Sequence, residues 1–354
     1  MDRIKVGVLG STGLVGQQFV RMLDRHPYFE TVSLSSSPRT RGRRYGDAVD
    51  WIVSPSVPEA CREVVLADFA PESLRAAGVK IVFSGLPAAV ARETERLLAE
   101  EGFLVFTNAS AFRMAPDVPV LIPEVNPEHV DLVAKGRTHR GGFIVANSNC
   151  STTGLVMGLR PLLRYGLKSV TVTTYQALSG AGRRGVASLD ILGNVVPFIK
   201  DEEEKIERET RKILGRLGAG KIEDAPFEVN ASCARVASRD GHLESVVVET
   251  DEDPGPDAVR ETLASFTGVP QDLRLPTAPE RPIIVLDKPD RPQPLYDCEA
   301  GAPERAKGMA VTIGRIRKKA GKLNFFLLVH NTIRGAAGTC ILNAEFALTK
   351  NLIP

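Results

Sequence analysis

The start of the chain constrains its fold more than any later stretch. Ile4-Lys5-Val6-Gly7-Val8-Leu9 reads as a short buried strand, Gly10-Ser11-Thr12-Gly13-Leu14-Val15-Gly16 as a glycine-rich turn, and Phe19, Val20, Met22 and Leu23 follow at helical spacing. In that order, glycines at 10, 13 and 16 let backbone N–H groups approach a pyrophosphate at a helix N-terminus, where orphan donors and the helix dipole favour an anion. The spacing is G-x-x-G-x-x-G, not the commoner G-x-G-x-x-G, so its place between strand and helix carries the reading. Gly10, Ser11, Thr12, Gly13, Leu14 and Val15 are therefore expected to hold a dinucleotide.

A second strand, Thr31-Val32-Ser33-Leu34, follows at the distance expected of such a unit, and Ser35-Ser36-Ser37-Pro38-Arg39-Thr40-Arg41-Gly42-Arg43-Arg44 comes after it. An NAD site places an acid near here to hold the ribose 2′-hydroxyl. The hydroxyls of Ser36 and Ser37 and the guanidinium of Arg39 suit a 2′-phosphate instead, so NADP is the expected cofactor, with a solvated basic loop as the alternative. Strands and helices then alternate: Glu63–Leu66, Lys80–Ser84, a helix from Ala88 to Glu101, and Phe103–Phe106. That pattern predicts an α/β fold with a Rossmann-like parallel sheet. Arg113 lies just after the last of these strands, where ligands collect in open α/β sheets, and is a candidate anion clamp or a surface arginine.

The chemistry is expected at Ala146-Asn147-Ser148-Asn149-Cys150-Ser151-Thr152-Thr153-Gly154. Gly142–Ala146 reads as a buried strand and Leu155–Leu163 as an apolar helix, so Cys150 falls at or beside a helix cap. The positive end of that helix should favour a thiolate and lower the thiol pKa. Cysteine is also a small buried residue in many proteins; here the polar turn around it, with Asn149 able to donate an amide N–H to a developing oxyanion, points to a nucleophile. The cysteines stand at 61, 150, 233, 298 and 340, an odd count without a C-x-x-C pair, and the five histidines are scattered. Neither a disulfide framework nor a metal site is expected.

From Lys168 the pattern changes. Val170–Gln176 is a β-branched alternating run, Ala177–Gly182 a flexible loop, and Leu189–Leu192 with Val195–Phe198 a buried or interfacial segment. Asp201–Leu217 reads as an amphipathic helix with Ile206, Ile213, Leu214 and Leu217 toward a core, most of its charges solvated, and Glu202 and Lys205 on one side. Phe227–Val236 and Leu243–Thr250 are strands around a turn that ends at Gly241-His242, where an imidazole is placed to exchange protons with a nucleophile. A structural histidine is the alternative. The segment from Asp251 to Pro303 reads as a helix and long loops, Met309–Ile316 and Leu323–Val329 as strands, and Asn331 as the start of a final helix that packs on the first domain. A second, α+β domain is expected.

The 354 residues are enough for two domains, and a net charge of +2 calls for neither nucleic acid nor a membrane surface. No apolar run approaches a transmembrane length and no signal peptide is evident, so the expected location is cytoplasmic.

These strings together resemble aspartate-semialdehyde dehydrogenase, and more closely its archaeal and fungal branch. The resemblance rests on Gly10–Gly16, Ser36-Ser37-Pro38-Arg39, Ile122-Pro123-Glu124-Val125-Asn126, Ser148–Thr152, Gln176–Gly182, Gly241–Val246 and Asn331–Gly335, in order along nearly the whole chain. It implies reversible, phosphate-dependent interconversion of L-aspartate 4-semialdehyde and 4-phospho-L-aspartate with NADP, on the path to lysine, threonine and methionine. It implies an NADP-binding domain over residues 1–148 completed by 331–354, and a catalytic and dimerisation domain over 149–330.

Carried over, Cys150 is the thioester nucleophile, His242 the acid/base and Gln176 the residue that orients substrate. Arg235 clamps the α-carboxylate, Glu202 meets the amino group, Arg113 and Lys205 bind phosphate, and Ser179 and Gly180 line the substrate. Ser84, Asn331 and Thr332 join the cofactor site. The family works as a homodimer or a dimer of dimers.

Two departures stand out. Ser238-Arg239 replace apolar residues before the Gly-His pair, and Arg183-Arg184 replace an aromatic-proline turn. Extra arginines leave room for malonyl-CoA reductase, a sister family with the same Cys and His machinery, and N-acetyl-glutamyl-phosphate reductase is a more distant relative. A non-catalytic NADP-binding redox sensor reporting through Cys150 is the reading from another class.

Overall fold

The computed structural model describes residues 2–218 and 220–353, and the chain divides into two compact units. The first comprises residues up to 121, 128–147 and 336 onward; the second comprises 122–127 and 148–335.

In the first unit β1 (Ile4–Leu9), β2 (Phe29–Ser35), β3 (Ile81–Ser84), β4 (Leu104–Thr107) and β5 (Phe143–Ala146) form an all-parallel sheet in the order β2-β1-β3-β4-β5. The last three strands are buried on both faces, which explains why they read as unbroken apolar runs. The strand order reverses direction between β1 and β3, and in doubly wound sheets that switch point is where the crevice for a ligand opens. The glycine turn follows β1 there. Glu63–Leu66 is not a strand: it makes only isolated bridges from Val65 to Arg44 and, just beyond, from Ala67 to Ser35. Val65 is exposed and only Leu66 of the run is buried, so the run packs through a single side chain.

The final helix, Gly338–Thr349, is preceded by a π turn at Ile333–Ala337, and its small residues are buried against β4 and the first helix, Leu14–Leu23. A buried His26 Nε2–Glu345 Oε1 contact of 2.8 Å fastens it.

The second unit holds a mixed six-stranded sheet in the order β11-β12-β13-β10-β6-β9 and a two-stranded ribbon. Its strands are β6 (Leu167–Gln176), β7 (Arg216–Leu217), β8 (Ile222–Glu223), β9 (Glu228–Arg235), β10 (His242–Thr250), β11 (Ile283–Leu286), β12 (Val311–Lys319) and β13 (Lys322–Val329). β6 runs between β9, its parallel neighbour, and β10, its antiparallel one.

The structure corrects the sequence reading here in several places. β11 lies inside the segment taken for loops, pairing parallel to β12. The charged helix ends at Ile213, because Gly215 brings the backbone so near Glu223 that an added Cβ would stand 2.2 Å from its carbonyl oxygen, and Leu217 belongs to β7. Most of its charges are at least partly exposed, as expected, but Glu202, Glu209 and Lys212 are buried. The loop after β6 is a 3₁₀ turn, Leu178–Ala181. Leu189, Leu192, Val195 and Phe198 are exposed in the single chain.

Candidate active site

Cys150 is the first residue of the helix Cys150–Leu159, and Asn149 is its N-cap. The Asn149 Oδ1 accepts the N–H groups of Ser151 and Thr152 at 3.0 and 3.1 Å, which satisfies two of the orphan donors of the first turn. Gly154 and Gly158, one helical turn apart, let this helix lie against β13: a Cβ on Gly154 would stand 2.7 Å from Val329. Gly335 serves the same purpose at the nucleophile, since a Cβ there would stand 2.6 Å from the Cβ of Cys150. Of the five cysteines, Cys150 alone is not fully buried. Burial holds Cys61 up at about 11 and Cys233 up at about 12, and likewise raises Cys298 and Cys340, so those four are protonated, inert thiols.

Strand register assembles the rest. Gln176 is paired with Arg235, and the register of β10 on β6 puts His242 beside Gln176. These three share the helix-covered face of the sheet, and all are buried. His242 Nδ1 accepts the Ala177 N–H at 3.0 Å, which assigns the neutral ring's proton to Nε2, a buried nitrogen with no protein partner. Burial first, then the charge of Arg235, push this histidine down to about 3, so its imidazole is neutral at pH 7.

Arg235 Nη1 donates to the Ala177 carbonyl at 2.7 Å. Gly180 fits over both side chains: a Cβ would stand 2.7 Å from Arg235 Nη1 and 3.2 Å from His242 Nε2. Ser179 is held by Asn331, whose Nδ2 donates to Ser179 Oγ while its Oδ1 accepts the Gly241 N–H. Asn331, expected at the cofactor, thus lies in the second unit and ties the loop after β6 to the turn before His242; Thr332 is buried beside His330.

Glu202 opens the helix Glu202–Ile213. Its Oε1 accepts Asn149 Nδ2 at 2.8 Å and Gln176 Nε2 at 3.1 Å, and Lys205 Nζ stands 3.9 Å from Oε2. Asn149 was expected to give its amide to an oxyanion. In the structure that side chain is first a cap and a partner of Glu202, which leaves one amide hydrogen for such a role.

Sequence reasoning passed over Glu244 and Glu209. Glu244 is wholly buried two residues beyond His242 on the same face, opposite Thr174, and neither of its oxygens has a protein partner. Strand alternation was the signal available for it. Burial, and then Glu202, hold its carboxyl well above the ordinary 4.5. The folded state holds this proton to higher pH than the unfolded chain does, so the contribution to stability is full below about pH 4.5 and is lost as pH rises toward the folded pKa. Glu244→Gln, which cannot ionise, is therefore expected to gain thermal stability on the wild type progressively as pH rises above about 4.5. Paired melting curves across that range check it. His242 acts with the opposite sign, its contribution being present above the ordinary 6.5 and lost as pH falls toward about 3.

In the first unit the glycine turn has the shape a pyrophosphate needs. Gly10 has φ +69°, and a Cβ on Gly16 would stand 2.1 Å from the Gly10 carbonyl oxygen. The helix begun by Leu14 has no side-chain cap and no acid in its first turn, so its N–H groups face the turn unopposed. Ser36 is buried and accepts the Thr40 hydroxyl, while Ser37 and Arg39 are exposed. Arg39 forms no ion pair with a described acid, unlike Arg41 and Arg44, which pair with Asp68 and Glu63. A cluster of cations around a ribose 2′-phosphate fits this edge. Ser84 is buried at the end of β3 and hydrogen-bonds Glu95. Arg113 is buried after β4 and donates to the Asn108 carbonyl at 2.8 Å. Among the described residues no group of three or more His, Cys, Asp or Glu could hold a metal ion.

A doubly wound sheet with a glycine turn, joined to a unit that presents a helix-start thiol, defines the class: the semialdehyde dehydrogenases. Family models for the semialdehyde dehydrogenase NAD binding domain and dimerisation domain match residues 5–133 and 159–334. The aspartate-semialdehyde dehydrogenases of Archaeoglobus fulgidus and Methanothermobacter thermautotrophicus are 50% and 49% identical to this chain, covering 99% and 97% of it and 100% and 98% of themselves. The crystal structure of the Candida albicans aspartate-semialdehyde dehydrogenase with NADP superposes with a TM-score of 0.89 at 40% identity, over 99% of this chain and all of that one. The chain belongs to the aspartate-semialdehyde dehydrogenase family.

Proposed function

We propose that the protein catalyses the reversible NADPH-dependent reduction of 4-phospho-L-aspartate to L-aspartate 4-semialdehyde and phosphate, with Cys150 as nucleophile. The observation that carries the reading is the capped helix start at Cys150, in one unit with His242, Arg235, Glu202 and Gln176 and holding the one cysteine that burial does not silence. The sulfur attacks the acyl carbon, the carbon–oxygen bond to phosphate breaks, and the thiol proton leaves with the phosphate, giving a thioester on Cys150. Gly10–Val15, Ser36, Ser37 and Arg39 would hold NADPH, which would supply the hydride that reduces this thioester.

His242 Nε2–H meets the carbonyl oxygen as it becomes anionic, and collapse of the hemithioacetal releases the aldehyde and returns the thiolate, which takes up a proton. Arg235 binds the substrate carboxylate, Glu202 its amino group, and Arg113 and Lys205 the phosphate; fork-shaped guanidinium donors match both oxyanions. Gln176 keeps Glu202 oriented.

The working unit we propose is a homodimer. The exposed Leu189, Leu192, Val195 and Phe198 are apolar surface for a second copy, and the sheet face away from the nucleophile helix, with Tyr175 among Thr171, Thr173 and Ser232, is a mixed surface it would also cover. No described helix is long and apolar enough to cross a membrane, and a cytoplasmic location completes the reading.

Turnover of L-aspartate 4-semialdehyde with NADP, followed by nicotinamide absorbance, is expected only when phosphate is present. Malonyl-CoA with NADPH is expected to give none, and turnover with malonyl-CoA alone would move the chain to the sister chemistry.

A further inference from the structure

The helix Glu202–Ile213 turns a polar face inward. Glu202 and Glu209, two helical turns apart, share a side with Ile206 and Ile213, and all four are buried. A buried carboxylate is costly unless it is hydrogen-bonded, and both of these converge on one residue. Glu209 Oε2 accepts the backbone N–H of Asn149 at 2.6 Å, and Glu202 Oε1 accepts the Asn149 side-chain amide. Asn149 Oδ1 meanwhile caps the nucleophile helix. The residue before Cys150 is thus held by its backbone, by its side chain and by its cap, two of the three from a single helix.

We propose that Glu209 is a positioning residue for the nucleophile: by accepting the Asn149 N–H it sets the direction in which the helix starts, and so where the Cys150 sulfur lies. The inference rests on the reading of Cys150 as the nucleophile. Glu209 acts through Asn149 and not on the substrate.

Three full-length variants separate position from charge. Glu209→Gln keeps an acceptor oxygen and removes the charge, Glu209→Asp keeps the charge and withdraws the oxygen by one methylene, and Glu209→Ala removes both. The kcat of Glu209→Gln is expected within about threefold of wild type. Glu209→Asp and Glu209→Ala are expected to lose about 10- to 100-fold in kcat with KM for semialdehyde and phosphate changed less than about threefold, since a misplacement near 1 Å is enough for such a loss.

Alkylation of Cys150 by iodoacetamide, read by peptide mass, is expected to change rate in Glu209→Asp and not in Glu209→Gln. Equal losses in Glu209→Asp and Glu209→Gln, no loss in Glu209→Asp, or a rise in KM with kcat intact would each overturn the proposal. If Glu209→Ala does not fold, the contrast between Asp and Gln decides. Cys150→Ala is run in parallel: retained turnover there sinks the nucleophile reading itself, whereas a dead Cys150→Ala beside uniform Glu209 variants sinks only the positioning role.

Discussion

Cys150→Ala is expected to lower phosphate-dependent turnover by roughly four orders of magnitude or more, the scale of losing a nucleophile, with NADP binding and the melting temperature unchanged. The effect is so large because no other thiol can substitute. The other four cysteines are buried and their thiols are held protonated by desolvation. A serine at 150 would keep the geometry but not the polarisable, easily ionised sulfur, so Cys150→Ser should be nearly as inactive. Initial rates by nicotinamide absorbance, with cofactor binding by fluorescence titration on the same preparations, check both halves. An unchanged rate in Cys150→Ala would mean that hydride transfer does not pass through this thiol.

The largest stability effect is expected at Glu124 and Arg334. The guanidinium meets the carboxylate in a fork, Nη1 to Oε1 at 2.8 Å and Nη2 to Oε2 at 2.9 Å, with both side chains wholly buried. Removing one partner leaves the other charge desolvated and unpaired, which costs about 3–5 kcal/mol. Glu124→Gln or Arg334→Met is therefore expected to lower the denaturant midpoint sharply at unchanged m-value. The double variant Glu124→Gln/Arg334→Met should recover part of the loss, because no lone charge remains buried. Chemical denaturation of the four proteins forms the cycle, and additive single losses would show that the pair is not coupled.

That pair also shows what the sequence could and could not say. Ile122–Asn126 and Asn331–Gly335 were read as family signatures, and their chemistry was taken to be functional where Asn331 and Thr332 stand. The structure gives Glu124 and Arg334 a bond that fastens residues 122–127 into the second unit. Neither spacing nor composition reports an ion pair between residues so far apart in the chain. The glycine turn was legible because its requirement is local: positive φ at Gly10 and close backbone approach at Gly16 are demanded by the turn itself. Cys150 at a helix start was legible for the same reason, since an Asn cap and hydroxyl residues in the first turn are local signals.

The charged helix was only partly legible. The repeat of apolar residues in Glu202–Ile213 located its buried stripe and most of its charges are at least partly exposed, but nothing in the repeat marked Glu209, which lies with Glu202 on that stripe. Their burial is decided by the partner each finds at Asn149, which is contributed by another helix. β11 was missed because four apolar residues between prolines carry too little periodicity to separate a strand from a loop, and only its pairing with β12 makes it one.

By itself, then, the sequence determined the elements whose causes lie within a few neighbouring residues: the parallel-sheet unit, the dinucleotide turn, the capped thiol and the order of the motifs. Tertiary structure decided which strand lies beside which, placing β6 between β9 and β10 so that Gln176, Arg235 and His242 share one row, and it decided which carboxylates are buried. The physical reason is that turn, cap and propensity energies act over one or two turns of chain, whereas register and desolvation are properties of surfaces that meet only after the chain has folded.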